Sequence, residues 1–219
     1  MRLNLHIGFL LMYIVRNVEY NAGSKGETRK AALMEKAVTK KLFDEIPYLE
    51  GDRIILRKLT ENDREALREM AGDEIIYRYE PTYLLEQQYA DMDQLLRSLY
   101  GEYFEKKQNL FLGIFLRENP AELCGLAEFY DYRDHLHMVS IGARLREKFW
   151  KSGIGTEVAK LMSDYLFNET DIEIITASTM VDNKASAHVL EKNGFMSTHV
   201  VHKEDWGHAE STDTYRWFL

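Results

Sequence analysis

Apolar and polar positions alternate in two rhythms along this chain. Asn109 to Arg117, N-L-F-L-G-I-F-L-R, is a continuous apolar run of strand length. Arg53–Leu59, Leu123–Tyr132, Leu136–Leu145 and Ile172–Val181 are further strand segments. The link Arg133-Asp134-His135 reads as a hairpin, and Asn119-Pro120 as a turn. Ile154, Val158, Leu161, Met162, Tyr165 and Leu166 instead recur at helical spacing and predict a helix over Gly153–Phe167. Thr60 opens T-E-N-D, a capping arrangement for a helix to about Met70. Tyr83–Lys107 is mostly helical in pattern. Asp182 or Asn183 caps another helix that stops at Asn193-Gly194. Two closing strands fall around Phe195–His202 and Thr212–Phe218. The order predicts an α/β domain with a mixed sheet, without internal repeats.

The first 45 residues stand apart. The apolar run Ile7–Val15 is shorter than the roughly 20 residues a bilayer span needs. Arg16 and Glu19 interrupt the approach from that run to the small residues Ala22-Gly23-Ser24, which disfavours a cleaved signal peptide and favours an added strand or helix. Asn21–Gly26 reads as a linker and Thr28–Asp44 as a helix ended by Pro47. The organisation expected is an extension over 1–45 and a domain over 46–219.

Composition narrows the chemistry. Apolar residues make up 45% of the 219, enough for a real core, and the formal net charge is −8. That charge argues against direct nucleic-acid binding and modestly favours a cationic partner. One cysteine, Cys124 in E-L-C-G-L, excludes a disulfide framework; it reads as a small buried residue and suits a cytoplasmic setting. His135 and His137 lack further ligands nearby, so no metal site is expected.

The densest chemical signal is Phe149–Glu157, F-W-K-S-G-I-G-T-E, where a strand hands over to a helix. A helix that begins just after Ser152 presents unpaired amide N–H groups and a positive dipole end. Gly153 and Gly155 remove side chains that would bar a close approach, Thr156 adds a hydroxyl and Lys151 a cation. The block is not a P-loop, since no Lys follows either glycine, and Val158 breaks the G-x-G-x-x-G dinucleotide fingerprint. Alone, it reads equally as a ligand-free strand–helix turn.

A second block, Asn183–Phe195, N-K-A-S-A-H-V-L-E-K-N-G-F, changes that balance. Together the two resemble the GNAT superfamily of acyl-CoA-dependent N-acetyltransferases. The signature [QR]-x-x-G-x-[GA] aligns with Trp150–Gly155, with Trp in the first place. That form, the second block and the opening phrase Pro47–Leu59 are similar to the ribosomal-protein N-terminal acetyltransferase-like branch, so the resemblance covers about residues 45–219. It implies a mostly antiparallel central sheet, flanked by helices, with a splayed strand pair. It also implies acetyl-CoA as cosubstrate: the pantetheine arm on backbone groups of Ala143, Arg144 and Leu145, the diphosphate on residues Lys151, Ser152, Gly153, Ile154, Gly155 and Thr156, and Asn183 and Ser186 facing the arm or the acetyl group. Dimers are common in this fold, and a homodimer is compatible with it.

The implied reaction is direct attack of a primary amine, a peptide N-terminus first and a small amine second, on the thioester. The amine must lose a proton, and a strand N–H near Leu145 must steady the oxyanion. Leu190 occupies the place of the family's common general-acid Tyr, and Ser140 that of its strand Glu. Ser186 is then the candidate donor to the thiolate, and Glu128 the candidate base, directly or through water. Each has a plainer reading: a helix-face serine touching cofactor, and a solvated strand glutamate. Tyr77, Tyr79, Tyr83 and Trp206 line an acceptor pocket or simply pack; His188 is expected at the surface. A non-catalytic acyl-CoA sensor of the same fold is the alternative function.

Overall fold

A computed structural model describes residues 40–82 and 84–219. The expected apolar segment, linker and most of the N-terminal helix, and Tyr83, lie outside the described residues. Lys40–Leu219 form one compact unit. Nine strands among the described residues make one sheet: β1 (Leu49–Glu50), β2 (Ile54–Arg57), β3 (Asn109–Leu116), β4 (Asn119–Arg133), β5 (Met138–Leu145), β6 (Ile174–Met180), β7 (Met196–Ser197), β8 (His202–Glu204) and β9 (Thr212–Phe218). Their order is β1-β2-β3-β4-β5-β6-β9-β7, with β8 also on β9. Every pairing is antiparallel except β5 with β6.

Period-two alternation divides the β3 run between two cores. Leu110, Leu112 and Ile114 join the cluster beneath helices α4 (Ile154–Glu169) and α5 (Lys184–Lys192). Phe111 and Phe115 point the other way, to α1 (Arg64–Ala71) and α3 (Met92–Ser98). Burial of each such large side chain contributes about 1.5–3 kcal/mol, so covering both faces anchors this run as an interior strand of the sheet. Leu42 and Phe43, from the stretch assigned to the extension, are buried in the first cluster.

Three expectations change. The helix expected to run to Asp44 gives way to turns at its described end, where Asp44 accepts the Lys41 N–H at 2.8 Å. The long helix over 83–107 divides into α2 (Leu85–Gln88) and α3, because Asp91 caps α3 by accepting the Asp93 N–H; α3 then widens into a π turn, Leu99–Tyr103. Tyr100 Oη there accepts the Leu59 N–H at 2.7 Å, satisfying a donor just past β2. Finally, Asn119-Pro120 starts β4 instead of standing as a separate turn.

Candidate active site

The parallel pair β5–β6 is joined at only three positions, Met138↔Ile174, Val139↔Ile175 and Ser140↔Thr176. Both strands then continue unpaired with each other, β5 to Leu145 and β6 to Met180. The result is a wedge-shaped gap in the sheet. Gly125 keeps β4 tight against β5 there, since a Cβ on it would fall 2.1 Å from the Arg144 carbonyl oxygen.

Peptide direction alternates along an antiparallel strand. Arg146 N–H donates to Cys124 O at 2.8 Å, and Arg144 stands opposite Leu126. The peptide groups of Gly142 and Arg144 therefore engage β4, while those of Ala143 and Leu145 face the gap. The Leu145 carbonyl accepts the Trp150 indole N–H at 2.7 Å, which leaves the Ala143 N–H and C=O and the Leu145 N–H available. Of the three residues expected along the cofactor arm, Arg144 turns its backbone to β4 and places its side chain beside Glu86 and Glu128.

Beyond β5 the chain turns through Lys151 at φ +58° and Gly153 at φ +83°, then enters α4 at Ile154. Only glycine adopts the Gly153 conformation without strain. The Ile154 N–H meets Ser152 Oγ at 3.4 Å; the amides of Gly153, Gly155 and Thr156 have no acceptor among the described residues. A Cβ at Gly155 would rest in ordinary contact with Val189 and Leu145, at 3.6 and 3.7 Å. Unpaired amides around bare glycines fit a diphosphate.

Two residues that the sequence reading passed over organise this loop. Glu157 accepts the Arg53 N–H at 2.7 Å and its Nε–H at 2.8 Å, and Arg53 Nη1 donates to the Ser152 carbonyl at 3.0 Å. The β1–β2 turn thus holds the loop from behind. On the other flank, Asn183 Oδ1 accepts the Ser186 N–H at 3.1 Å, so Asn183 is the cap of α5, and Asn193 Nδ2 donates to the Thr156 carbonyl at 3.2 Å. Ser186 is half-buried. Leu190 is buried in the core, and Ser140 Oγ shares a 2.7 Å hydrogen bond with Thr176.

The opposite face of the sheet is charged. Arg144, whose side chain is 3% exposed, donates through Nε to Glu86 in a short contact and through Nη1 to Glu128 at 3.4 Å. Its Nη2 is buried without a partner. Glu128 also accepts from Asn109 Nδ2 at 2.5 Å, and Glu86 from Tyr77 Oη at 3.3 Å. Burial pushes the Glu128 carboxyl up; Arg144 pulls it down, and Glu86 pushes it up again. Burial likewise lifts half-buried Glu80 to about 7, against Arg144 and with Glu128 and Glu86 adding to the rise. Burial opposes the charge of Arg144, yet the surrounding carboxylates hold it protonated. Glu128 is thus a partly buried member of an ion cluster, its side chain 14% exposed.

Tyr77 and Tyr79 are half-buried in the segment over this face. Thr82 ties that segment to the β8–β9 connection, donating its N–H to the Trp206 carbonyl at 3.0 Å and its hydroxyl to that of Gly207 at 2.8 Å. His137 sits at 3.2 Å from Asp171, while His135 and His188 are exposed. Among the described residues no group of three or more His, Cys, Asp or Glu could hold a metal. No helix among them is long and apolar enough to cross a membrane. Cys124 is buried, and burial pushes its thiol up to about 11.

Residues 53–196 match the family described as an acetyltransferase (GNAT) domain. The chain is 29% identical over 170 residues to the uncharacterized N-acetyltransferase YoaA of Bacillus subtilis, covering 77% of this chain and 93% of that one. Its fold is similar to a solved RimL, a ribosomal L7/L12 alpha-N-protein acetyltransferase in complex with coenzyme A (TM-score 0.66, 17% identity, 79% of this chain and 97% of that one). It is also similar to the Vibrio cholerae spermidine N-acetyltransferase in complex with CoA and spermine (TM-score 0.63, 18% identity, 77% and 96%). The gap between β5 and β6, the bare glycine loop at its mouth and the family match agree: the chain belongs to the GNAT N-acetyltransferases, acyltransferases whose cosubstrate is acetyl-CoA.

Proposed function

We propose that this protein transfers the acetyl group of acetyl-CoA to a primary amine by direct attack within a ternary complex. The observation that carries the reading is the arrangement of the gap. Backbone donors line it, and the sheet face beside it carries three carboxylates against one arginine. In this reading the diphosphate rests on the amides of Gly153, Gly155 and Thr156, with Lys151 nearby. The pantetheine arm bonds the free peptide groups of Ala143 and Leu145. A bound acetyl-CoA supplies an activated acyl carbon.

Glu128 takes a proton from the acceptor ammonium, directly or through one water, since only the neutral amine is a nucleophile. A strand N–H at Leu145 or Ala143 steadies the oxyanion. The C–N bond forms, the C–S bond breaks, and Ser186 delivers its hydroxyl proton to the departing sulfur while regaining one from the newly acylated nitrogen, which sheds its second proton to become the neutral amide. Cationic acceptors suit the excess of carboxylates. A peptide N-terminus and a small amine are the two acceptor classes, and RimL and the spermidine enzyme exemplify them within the same fold. A cytoplasmic setting suits a single cysteine held buried.

Steady-state turnover with acetyl-CoA and a panel of peptides and small amines tests this. Acetylation of at least one class above background is expected. Coenzyme A binding without acetylation of any amine would overturn it.

A further inference from the structure

The cluster holds more negative than positive groups, and their hydrogen bonds are unequal. Glu86, from α2, occupies Arg144 Nε in the short contact and is itself held by Tyr77 Oη. Glu128, from β4, meets the same guanidinium only through Nη1 at 3.4 Å. Arg144 Nη2 bonds to neither. Both carboxylates are substantially buried, with side chains 2% and 14% exposed. A guanidinium can bind one carboxylate through two parallel N–H bonds, which stabilises the carboxylate's anion most strongly. Here the cation is divided, and Glu128 receives the weaker share.

Resting on the reading of Glu128 as base, we propose that Glu86 is a positioning residue for the reaction: by holding Arg144 on itself it withholds full ion pairing from Glu128 and leaves that carboxylate able to accept a proton. A carboxylate fully paired with arginine would be a poor proton acceptor. An unpaired one in this place would hold its proton more tightly, because burial disfavours the anion. The divided arginine sets a middle course. The other groups facing Glu128 do not substitute for Glu86. Asn109 on β3 donates a neutral hydrogen bond. Glu80, in the covering segment, and Tyr130, beside Glu128 on β4, share its electrostatic surroundings. Tyr77 acts on Glu86. In physical terms α2, which reads in the sequence only as part of a helical stretch over 83–107, becomes the element that tunes the sheet's base.

The test reads the Glu128 carboxyl itself. Protein carrying carbon-13 in its glutamate carboxyls and saturated with coenzyme A is titrated from about pH 4 to 9, a range that brackets the raised carboxyls. The Glu128 signal is identified by its loss in Glu128→Gln. In Glu86→Gln the midpoint is expected to fall by about one pH unit, because one negative neighbour is gone and Arg144 is free to pair with Glu128. Glu86→Asp keeps the charge but withdraws it by one methylene, and shifts the midpoint in the same direction by less. A midpoint that stays put or rises in these variants overturns the proposal. Acetylation of butane-1,4-diamine and of an N-terminally free hexapeptide by the wild type is measured alongside. Its absence would overturn the transfer reading, while the carbon-13 midpoint still decides the role of Glu86.

Discussion

The two sides of the gap are built by opposite means. One side, which the proposed function gives to the cofactor, is backbone: three unpaired amides, a left-handed glycine and free strand peptide groups, supplied by residues 143, 145 and 151–156. The other, which it gives to the acceptor, is side chain: Arg144, Glu86, Glu128 and Asn109 come from four different elements and leave an excess of negative charge. A backbone site tolerates most changes except those that add bulk at its glycines. A buried ion cluster is most sensitive to loss of its one cation, because that loss strands both carboxylates.

Arg144→Met gives the largest expected effect. It leaves Glu86 and Glu128 buried without their cation, a change that costs about 3–5 kcal/mol in comparable buried pairs. Urea unfolding checks it, and a loss under about 1 kcal/mol would mean that water already reaches the cluster.

Ser186→Ala is expected to lower turnover by roughly 100-fold or more, the scale of a lost proton donor, with coenzyme A affinity little changed. An equal loss in both would make Ser186 a binding residue. Gly153→Ala forces an L-residue into φ +83° and is expected to cost about 1 kcal/mol in thermal stability.

The pH dependence of stability separates the two sides again. Glu80 has its carboxyl raised from 4.5 to about 7 by the fold. A raised carboxyl stabilises the fold below the unfolded value, and that contribution is lost as pH rises through the folded one. Wild type should therefore lose melting temperature relative to Glu80→Gln between about pH 4.5 and 7, with the difference constant above that window. Parallel curves would show that Glu80 is solvated. Arg53→Ala should change stability least, by under about 1 kcal/mol, since its pair with Glu157 is half-exposed; its effect is expected in coenzyme A affinity, by a few-fold.

The same contrast explains what the sequence could disclose. The glycine loop and the Asn183–Gly194 helix are legible because each is contiguous: cap, apolar period and stop residue lie within one turn of where they act. The continuous β3 run is likewise legible as a strand. The ion cluster has no such local signature. Glu86 lies 58 residues from Arg144 in sequence, and a polar position in a helix pattern defaults to solvent until something covers it. Arg144 looked like one more residue of the cofactor strand because alternation alone does not say which peptide groups a neighbouring strand will claim; the Arg146–Cys124 bond decides that. The break in the 83–107 helix was hidden for a related reason. Asp91 competes as a cap within a stretch whose period stays helical.

The most direct measurement is calorimetric titration of coenzyme A into Gly155→Glu and Glu128→Gln beside the wild type, with turnover followed on the same preparations. If the donor is held by backbone and the acceptor is activated by the ion cluster, Gly155→Glu should lose about 100-fold in affinity, near 2.7 kcal/mol. Glu128→Gln should keep coenzyme A affinity within about twofold while its turnover collapses. Unchanged binding in Gly155→Glu, or equal losses of affinity in both variants, would contradict the division of the site.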